Sequence, residues 1–210
     1  MGSPRNDVLA GSGLEECRAA TRARLGVPAG KRLVLFAPTF RDNVRRGNRF
    51  AFKSGLNLYE LAEQLPEDVL FLMRAHHVAG KTVPIPSKVR DRIIDVTFYD
   101  DAQDLMAAAD ALVTDYSSMM FDFALTGRPL LFFCPDLEVY RTQLRGFYFD
   151  FEEQAPGPIL RSQEELAKAL QDLDGVREAH RAALESFIER YAPLDDGGAA
   201  ARVVDDLLSR

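Results

Sequence analysis

Two adjacent serines, Ser117 and Ser118, stand where the sequence predicts that a buried strand gives way to a helix. The apolar run Ala111 to Val113 precedes them, and an apolar helical pattern begins at Met119. Helix N-termini expose unpaired backbone N–H groups at the positive end of the helix dipole, and serine hydroxyls add further donors. The pattern therefore predicts a site for an anion such as phosphate. Serine is also a preferred helix cap, so a purely capping role is the alternative.

Polar residues follow the other predicted strands as well. Thr39 comes after the first strand, Arg74 and His76 come after the second, Asp115 follows the fourth and Asp136 follows the fifth. In an open parallel sheet, ligands bind in the crevice beyond the carboxyl ends of the strands. We therefore predict one rim at this edge that binds a pyrophosphate. It would be formed by a guanidinium, an imidazole, a threonine hydroxyl and the two serines.

Some of these residues have structural alternatives. Arg74 could pair with a surface carboxylate, although an arginine directly after a buried strand favours a functional role. Of the two neighbouring histidines, His77 is assigned to a packed or solvated position. Asp122 lies one helical turn beyond Ser118, where it could contact a ribose or brace the loop. The sequence leaves both roles of Asp122 open.

The predicted loop from Arg41 to Ser54 is longer than the other loops and rich in basic residues. Such a charge cluster can attract a polyanionic acceptor or lipid head groups, but most charge runs are solvated faces. Both interpretations stay open for the basic side chains, which are Arg41, Arg45, Arg46, Arg49 and Lys53.

Short continuous apolar runs alternate with helical patterns, which is typical of an α/β fold with a parallel sheet flanked by crossover helices. The predicted strands are Arg32 to Phe36, Val69 to Met73, Ile93 to Asp95, Ala111 to Val113 and Leu130 to Cys134. The predicted helices between them are Leu14 to Leu25, Leu56 to Leu65, Ala102 to Ala109 and Met119 to Thr126.

Beyond Asp136 the strand signals fade, and the sequence predicts helices only. A capping box at Ser162 to Glu165 begins this helical region, and further helices are predicted at Val176 to Tyr191 and Ala199 to Ser209. We expect residues 1–210 to form a single domain with C-terminal helices from about residue 162.

Composition excludes several functional classes. The 210 residues are 47% hydrophobic and 28% charged, and the net charge of -6 argues against general nucleic-acid binding. No apolar run is long enough to span a bilayer, and the N-terminus lacks the apolar segment of a signal peptide, so we expect a cytoplasmic protein. Two cysteines without metal-type spacing fit a reducing compartment.

The sequence also lacks the motifs of several common enzyme classes. It contains no metal-ligand cluster, no Gly-x-Gly-x-x-Gly loop, no Walker sequence and no Gly-x-Ser-x-Gly elbow. Dehydrogenases, P-loop enzymes and typical serine hydrolases are therefore disfavoured.

Taken together, the motifs resemble those of the CDP-glycerol glycerophosphotransferases, which polymerise teichoic-acid and related capsule backbones. The resemblance extends over nearly the entire chain and rests on Pro4 to Asp7, Phe36 to Asp42, Arg74 to His76, Thr114 to Ser118, Phe121 to Phe123, Arg128-Pro129, Pro135 to Leu137, Tyr140, Leu144 to Tyr148, Pro156 to Pro158, Asp196-Gly197 and Arg202 to Val204.

The resemblance implies a Rossmann-like domain corresponding to the C-terminal half of a GT-B transferase, which holds most of the donor nucleotide. In that family the Pro-Arg-Asn-Asp motif lies near the middle of the protein, whereas here it begins at residue 4. The resemblance therefore implies that the N-terminal GT-B domain, with the acceptor site and its own histidine, is absent. The chain would then be a fragment, or a partner would supply the other half.

The implied reaction is attack by a hydroxyl of a lipid-linked polyol-phosphate acceptor on the β-phosphorus of CDP-glycerol, with release of CMP. Arg74 and His76 take the catalytic positions and stabilise the developing charge, or His76 protonates the departing phosphate. The donor-binding positions are Thr39, Arg41, Asp115, Ser117, Ser118 and Asp122. No metal site is predicted and no cofactor is implied, with a pyrophosphate-bound Mg²⁺ left open.

Two other functions stay open at this point. The first keeps the fold but changes the donor to CDP-ribitol or a nucleotide sugar. The second is a nucleotide-binding module that is inactive without a partner domain. The acceptor class implies peripheral contact with the inner face of the plasma membrane, and no nucleic-acid partner is expected.

Overall fold

The computed structural model of the protein describes residues 1–39, 55–75, 83–143 and 149–209, together with the backbone of residues 45–46 and 49–50. The strands are β1 (Arg32–Phe36), β2 (Arg45–Arg46), β3 (Arg49–Phe50), β4 (Val69–Met73), β5 (Ile93–Asp95), β6 (Ala111–Thr114), β7 (Leu130–Phe133) and β8 (Ile159–Leu160).

Ten helices are described, preceded or separated by 3-10 turns at Pro4–Asn6 and Ser87–Val89. They are α1 (Asp7–Ala10), α2 (Leu14–Arg24), α3 (Leu58–Gln64), α4 (Ala102–Ala108), α5 (Met119–Ala124), α6 (Leu137–Gln143), α7 (Phe151–Gln154), α8 (Gln163–Gln171), α9 (Leu173–Tyr191) and α10 (Ala199–Leu208). Within the described residues, no helix combines the length and hydropathy that crossing a bilayer requires.

Six strands form one parallel sheet in the order β5-β4-β1-β6-β7-β8, while β2 and β3 pair as a separate antiparallel hairpin. The chain fills the sheet on one side of β1 first and then continues on the other side. Phe36 at the end of β1 pairs with Met73 of β4 and with Val113 of β6. The carboxyl ends of these three strands therefore lie side by side, at the point where the strand order reverses.

Both faces of the sheet are covered by helices, which explains the continuous apolar runs of its strands. Leu33 and Leu35 of β1 contribute to one core, with side chains of α1, α4, α5 and α9. Val34 and Phe36 point to the opposite face and join a second core with α3 and α8. The α/β prediction of a parallel sheet flanked by helices is confirmed.

The structure agrees with the predicted bounds of β1, β4 and β5, whereas β6 extends one residue further and β7 ends one residue earlier than predicted. The prediction that strands end after Asp136 is wrong, because β8 pairs in parallel with the end of β7. Its two residues are too short to give a periodic signal. The predicted long loop after β1 contains the hairpin of β2 and β3, and the side chains of its basic residues lie outside the described part of the chain.

The capping box that begins the C-terminal helices is largely confirmed. Ser162 Oγ accepts a hydrogen bond from the backbone N–H of Glu165 at 3.2 Å. The Glu165 carboxylate accepts from the backbone N–H of Arg161 at 2.6 Å, one residue before the capping serine. The box therefore satisfies donors at the start of α8, with its return bond shifted by one residue.

The first residues of the chain are held by buried polar contacts. The Asn6 amide donates to Asp122 in α5 at 3.0 Å and accepts from Gln103 in α4 at 3.1 Å. Asp7 accepts hydrogen bonds from the backbone N–H groups of Ala199 and Ala200, so its carboxylate caps α10. The Pro4 to Asp7 motif thus joins three helices that are distant in sequence.

Gly157 of the Pro156 to Pro158 motif leads into β8 at a close backbone approach. A Cβ atom at this position would lie 1.9 Å from the carbonyl oxygen of Leu130. We expect Gly157→Ala to lower the free energy of unfolding by at least ~2 kcal/mol, because backbone atoms have to move to make room. Urea denaturation of the purified variant measures this loss.

Gly13→Ala is the matched control, since a Cβ atom there meets no atom within 4 Å. Its unfolding free energy is expected to stay within about 0.5 kcal/mol of the original protein. Equal stabilities for the two variants would contradict the close approach at Gly157.

Candidate functional site

The loops that follow β1 and β6 meet at the point where the strand order reverses. Thr39 donates two hydrogen bonds to Oδ1 of Asp115, from its backbone N–H at 2.7 Å and from its hydroxyl at 2.6 Å. The Thr114 hydroxyl donates to the carbonyl oxygen of Ala37 at 2.7 Å. Asp115 is only 2% exposed. The structure therefore brings Thr39 and Asp115 together, with the Asp115 carboxylate turned towards the neighbouring loop.

The two serines lie directly before α5, as the sequence predicts. Ser117 is half-buried, and its hydroxyl oxygen accepts a hydrogen bond from the backbone N–H of Met119 at 3.3 Å. Ser118 occupies the N-cap position and is exposed, and its side chain makes no capping hydrogen bond within the described residues. In this structure the capping hydrogen bond comes from Ser117, while Ser118 is exposed.

Tyr116 connects the serine-containing turn to the loop that follows β7. Its hydroxyl donates to Oδ1 of Asp136 at 3.0 Å, and its ring stacks on Tyr140 of α6 with a centroid distance of 3.8 Å. Burial, with smaller contributions from Cys134 and Asp136, raises the pKa of the Tyr116 phenol well above its usual value. The hydroxyl therefore stays protonated and donates to Asp136 across the physiological pH range.

The sequence does not predict this contact. It places Asp136 on the rim without a role and assigns none to Tyr116, since neither residue belongs to a motif that specifies a hydrogen bond between loops. The one available signal was the position of a tyrosine immediately before two residues that were predicted to bind an anion.

Arg74 follows β4 and is half-buried. Its Nη1 donates to the carbonyl oxygens of Val96 at 3.3 Å and Tyr99 at 2.8 Å, which belong to the loop between β5 and α4. In the described part of the chain its hydrogen bonds go to main-chain carbonyls, and no ion pair with a carboxylate is found. Burial lowers the pKa of the guanidinium. An anion bound nearby would stabilise the charged form of this partly desolvated guanidinium.

Asp122 is buried in α5, where it braces the start of the chain. Its Oδ1 accepts from Asn6 at 3.0 Å and from the exposed side chain of Arg5 at 3.1 Å. Of the two predicted roles, the structure shows a brace, although the braced element is the N-terminal segment and not the serine-containing turn. Contact with a ribose stays a prediction.

The predicted site residues Arg41 and His76 lie outside the described residues, as does the neighbouring His77. The described part of the predicted site therefore consists of the Thr39, Arg74 and Asp115 to Ser118 side chains, which follow strands β1, β4 and β6 respectively. Across the described ranges, no group of three or more His, Cys, Asp or Glu side chains is arranged to hold a metal ion.

The chain is similar to curated proteins of teichoic-acid synthesis. It is 35% identical to the teichoic acid poly(glycerol phosphate) polymerase of Bacillus subtilis over 205 residues, which cover 97% of this chain and 27% of that protein. It is 36% identical to the teichoic acid glycerol-phosphate transferase of Staphylococcus aureus, over 96% of this chain and 52% of the relative. The chain thus spans between about a quarter and half of the length of these relatives.

Solved structures agree with this similarity. The wall teichoic acid polymerase TagF superimposes with a TM-score of 0.89 and 34% identity, over 100% of this chain and 51% of the TagF chain. A TagF variant soaked with CDPG superimposes with a TM-score of 0.86 and 33% identity, over 98% of this chain and 50% of that chain.

A protein-family model described as CDP-glycerol:poly(glycerophosphate) glycerophosphotransferase matches residues 1–209. The match includes all of the described strands and the serine-containing turn at the switch point. The chain therefore belongs to the CDP-glycerol:poly(glycerophosphate) glycerophosphotransferase family.

Proposed function

We propose that this chain is the donor-binding part of a glycerophosphotransferase. The enzyme would transfer glycerol phosphate from CDP-glycerol to a lipid-linked teichoic-acid or capsule-type acceptor and release CMP. The observation that carries the proposal is the Asp115 to Ser118 turn at the switch point of the sheet, in a chain that matches the family over residues 1–209. The similarity to the CDPG-soaked TagF variant supports the choice of donor.

In the proposed complex the pyrophosphate of the donor lies over the serine-containing turn. The Ser118 and Ser117 hydroxyls donate to phosphate oxygens, and Arg74 and His76 act on the β-phosphate from the end of β4. Strand β1 separates β4 from β6 by two interstrand spacings, about 10 Å. Because the Arg74 guanidinium is bonded to the Val96 and Tyr99 carbonyls in this structure, the proposed complex requires its side chain to turn towards a phosphate that extends over β1. Thr39 and Asp115 shape the floor of the crevice between them. Arg41 is proposed to contact the rest of the donor, whereas Asp122, bonded to Asn6 and Arg5, holds α5 in place beneath the turn.

The reaction needs no protein nucleophile. The acceptor hydroxyl bonds to the β-phosphorus and gives its proton to a base that we assign to the acceptor site of the second domain. The bond from that phosphorus to the bridging oxygen breaks, and CMP leaves with the electron pair. The protein contributes by positioning the two reactants and by stabilising the charge that develops on the phosphate oxygens. Arg74 is suited to this role because its charge is partly desolvated, which strengthens its interaction with an anion. The loss of one such donor typically costs roughly 3 kcal/mol of transition-state stabilisation.

Transfer also requires an acceptor site, which we propose is supplied by a second domain. The chain spans 27% and 52% of the two curated relatives, so these proteins carry further parts. Helix α10 supports contact with a partner, because it exposes the large apolar side chains Val204, Leu207 and Leu208. A lipid-linked acceptor would place the complete enzyme at the inner face of the plasma membrane.

Donor binding is testable by calorimetric titration of the chain with CDP-glycerol, CMP, CDP-ribitol and UDP-glucose. We expect CDP-glycerol to bind most tightly, and Ser118→Ala and His76→Ala each to weaken it about tenfold, the equivalent of ~1.4 kcal/mol for one hydrogen bond to a charged group. Ser186→Ala is the matched control, because this serine is exposed on α9, outside the site. Titrations with EDTA and with magnesium test whether binding needs the metal.

Three outcomes of the titration would argue against parts of the proposal. Tighter binding of CDP-ribitol or UDP-glucose would change the donor while keeping the site. Equal affinity of Ser118→Ala and Ser186→Ala for CDP-glycerol would remove the serine-containing turn from the site. Binding that is lost in EDTA would add a metal to the donor complex.

The need for a second domain is testable by CMP release from CDP-glycerol in the presence of a lipid-linked acceptor. We expect the chain alone to give no turnover above background, and a mixture with the purified N-terminal half of the Bacillus subtilis relative to restore it. Ser118→Ala should lower the restored rate about a hundredfold, the usual cost of removing one oxyanion donor. Full turnover by the chain alone would show that the second domain is dispensable.

A further inference from the structure

The serine-containing turn is fixed from both sides by the residues that immediately precede the serines. On one side, Asp115 accepts the backbone N–H and the hydroxyl of Thr39, in the loop after β1. On the other side, Tyr116 donates to Asp136, in the loop after β7. Because these anchors are adjacent in sequence and point to opposite neighbours, the backbone that enters the serines has little freedom to rotate or slide.

The Tyr116 anchor combines two contacts that constrain different motions. Its ring stacks on Tyr140 at an interplanar angle of 24° and meets the edge of Phe151 in α7. Stacked rings can slide over one another at small cost, whereas a directed O–H···O bond of 3.0 Å fixes the position within the plane. The hydroxyl therefore fixes the in-plane position of the Tyr116 ring, which stacking alone does not fix.

We propose that Tyr116 is a positioning residue, whose hydrogen bond to Asp136 sets the placement of Ser117 and Ser118 for an anionic ligand. The inference rests on the proposed function for the identity of that ligand, CDP-glycerol. Tyr116 does not touch the donor in this scheme. It acts through the backbone that it shares with the serines.

Tyr191 provides a matched control within the same chain. It is half-buried like Tyr116, its hydroxyl donates to the side chain of Gln154, and its ring packs against Phe187 at a centroid distance of 4.7 Å. It belongs to α9 and meets α5 through its ring, which lies against Phe121 and is kept in Tyr191→Phe. Tyr116→Phe and Tyr191→Phe therefore remove the same group from similar surroundings, and only Tyr116→Phe removes an anchor of the turn.

The first test needs no ligand and measures native-state amide hydrogen exchange in both variants. We expect Tyr116→Phe to speed exchange by about tenfold more at Met119, Met120 and Phe121 than at the strand amides, because these three N–H groups donate to Ser117 and Ser118 and local opening of the turn becomes easier. Asp136→Ala should reproduce the effect, because it removes the other partner of the bond. Tyr191→Phe should leave these three amides unchanged relative to the strands. Uniform exchange changes in Tyr116→Phe would overturn the inference.

The second test measures the affinity for CDP-glycerol by calorimetry. We expect Tyr116→Phe to bind CDP-glycerol about fivefold more weakly. When Ser118 is already alanine, we expect Tyr116→Phe to cause no further loss of affinity, because the effects of two residues that act as a unit do not add. A purely structural role would give the same loss in both backgrounds. If Ser118→Ala weakens binding while Tyr116→Phe binds like the original protein, the inference is overturned. If the original protein does not bind CDP-glycerol, the proposed function fails, and hydrogen exchange alone decides the role of Tyr116.

Discussion

The pairing of β1 with a parallel strand on each side is the constraint on which the rest of the site depends. Backbone hydrogen bonds hold Phe36 level with Met73 and Val113, so the three chain segments that leave these strands start from the same edge. A one-residue shift of either neighbour would turn its apolar side chains to the wrong core. The burial of both faces therefore fixes the register, and the register fixes which polar residues can meet beyond the strand ends.

Several residues of the family motifs stabilise the fold of this chain. Arg128 of the Arg128-Pro129 motif donates to the carbonyl oxygens of Ala107 and Ala109, so it satisfies acceptors at the C-terminus of α4. Asn6 and Asp7 join helices, and Gly157 permits a close backbone approach. A motif shared with a functional family is thus no proof that its residues touch the substrate, because burial of polar groups constrains sequence as strongly as chemistry does.

Sequence alone predicted the elements that have a local signal. The main strands were found because a strand buried on both faces has a continuous apolar run, and the start of α5 was found because Ser117 and Ser118 precede a helical pattern. Contacts between distant loops have no such signal. Tyr116 and Asp136 are 20 residues apart, and Asp122 and Asn6 are 116 residues apart. Their pairing depends on the strand order, which the apolar runs do not specify.

The Thr114 to Ser118 segment shows how these two kinds of constraint combine in one motif. Its first three side chains each bond to a neighbouring loop, with Thr114 on Ala37, Asp115 on Thr39 and Tyr116 on Asp136. The next two are the serines, of which Ser118 faces solvent. Phosphoryl transfer relies on positioning and on preorganised donors, and a misplacement of about 1 Å can cost two orders of magnitude in rate. For the proposed transfer, a turn whose anchors immediately precede its serines suits that demand, because little intervening chain is left to move.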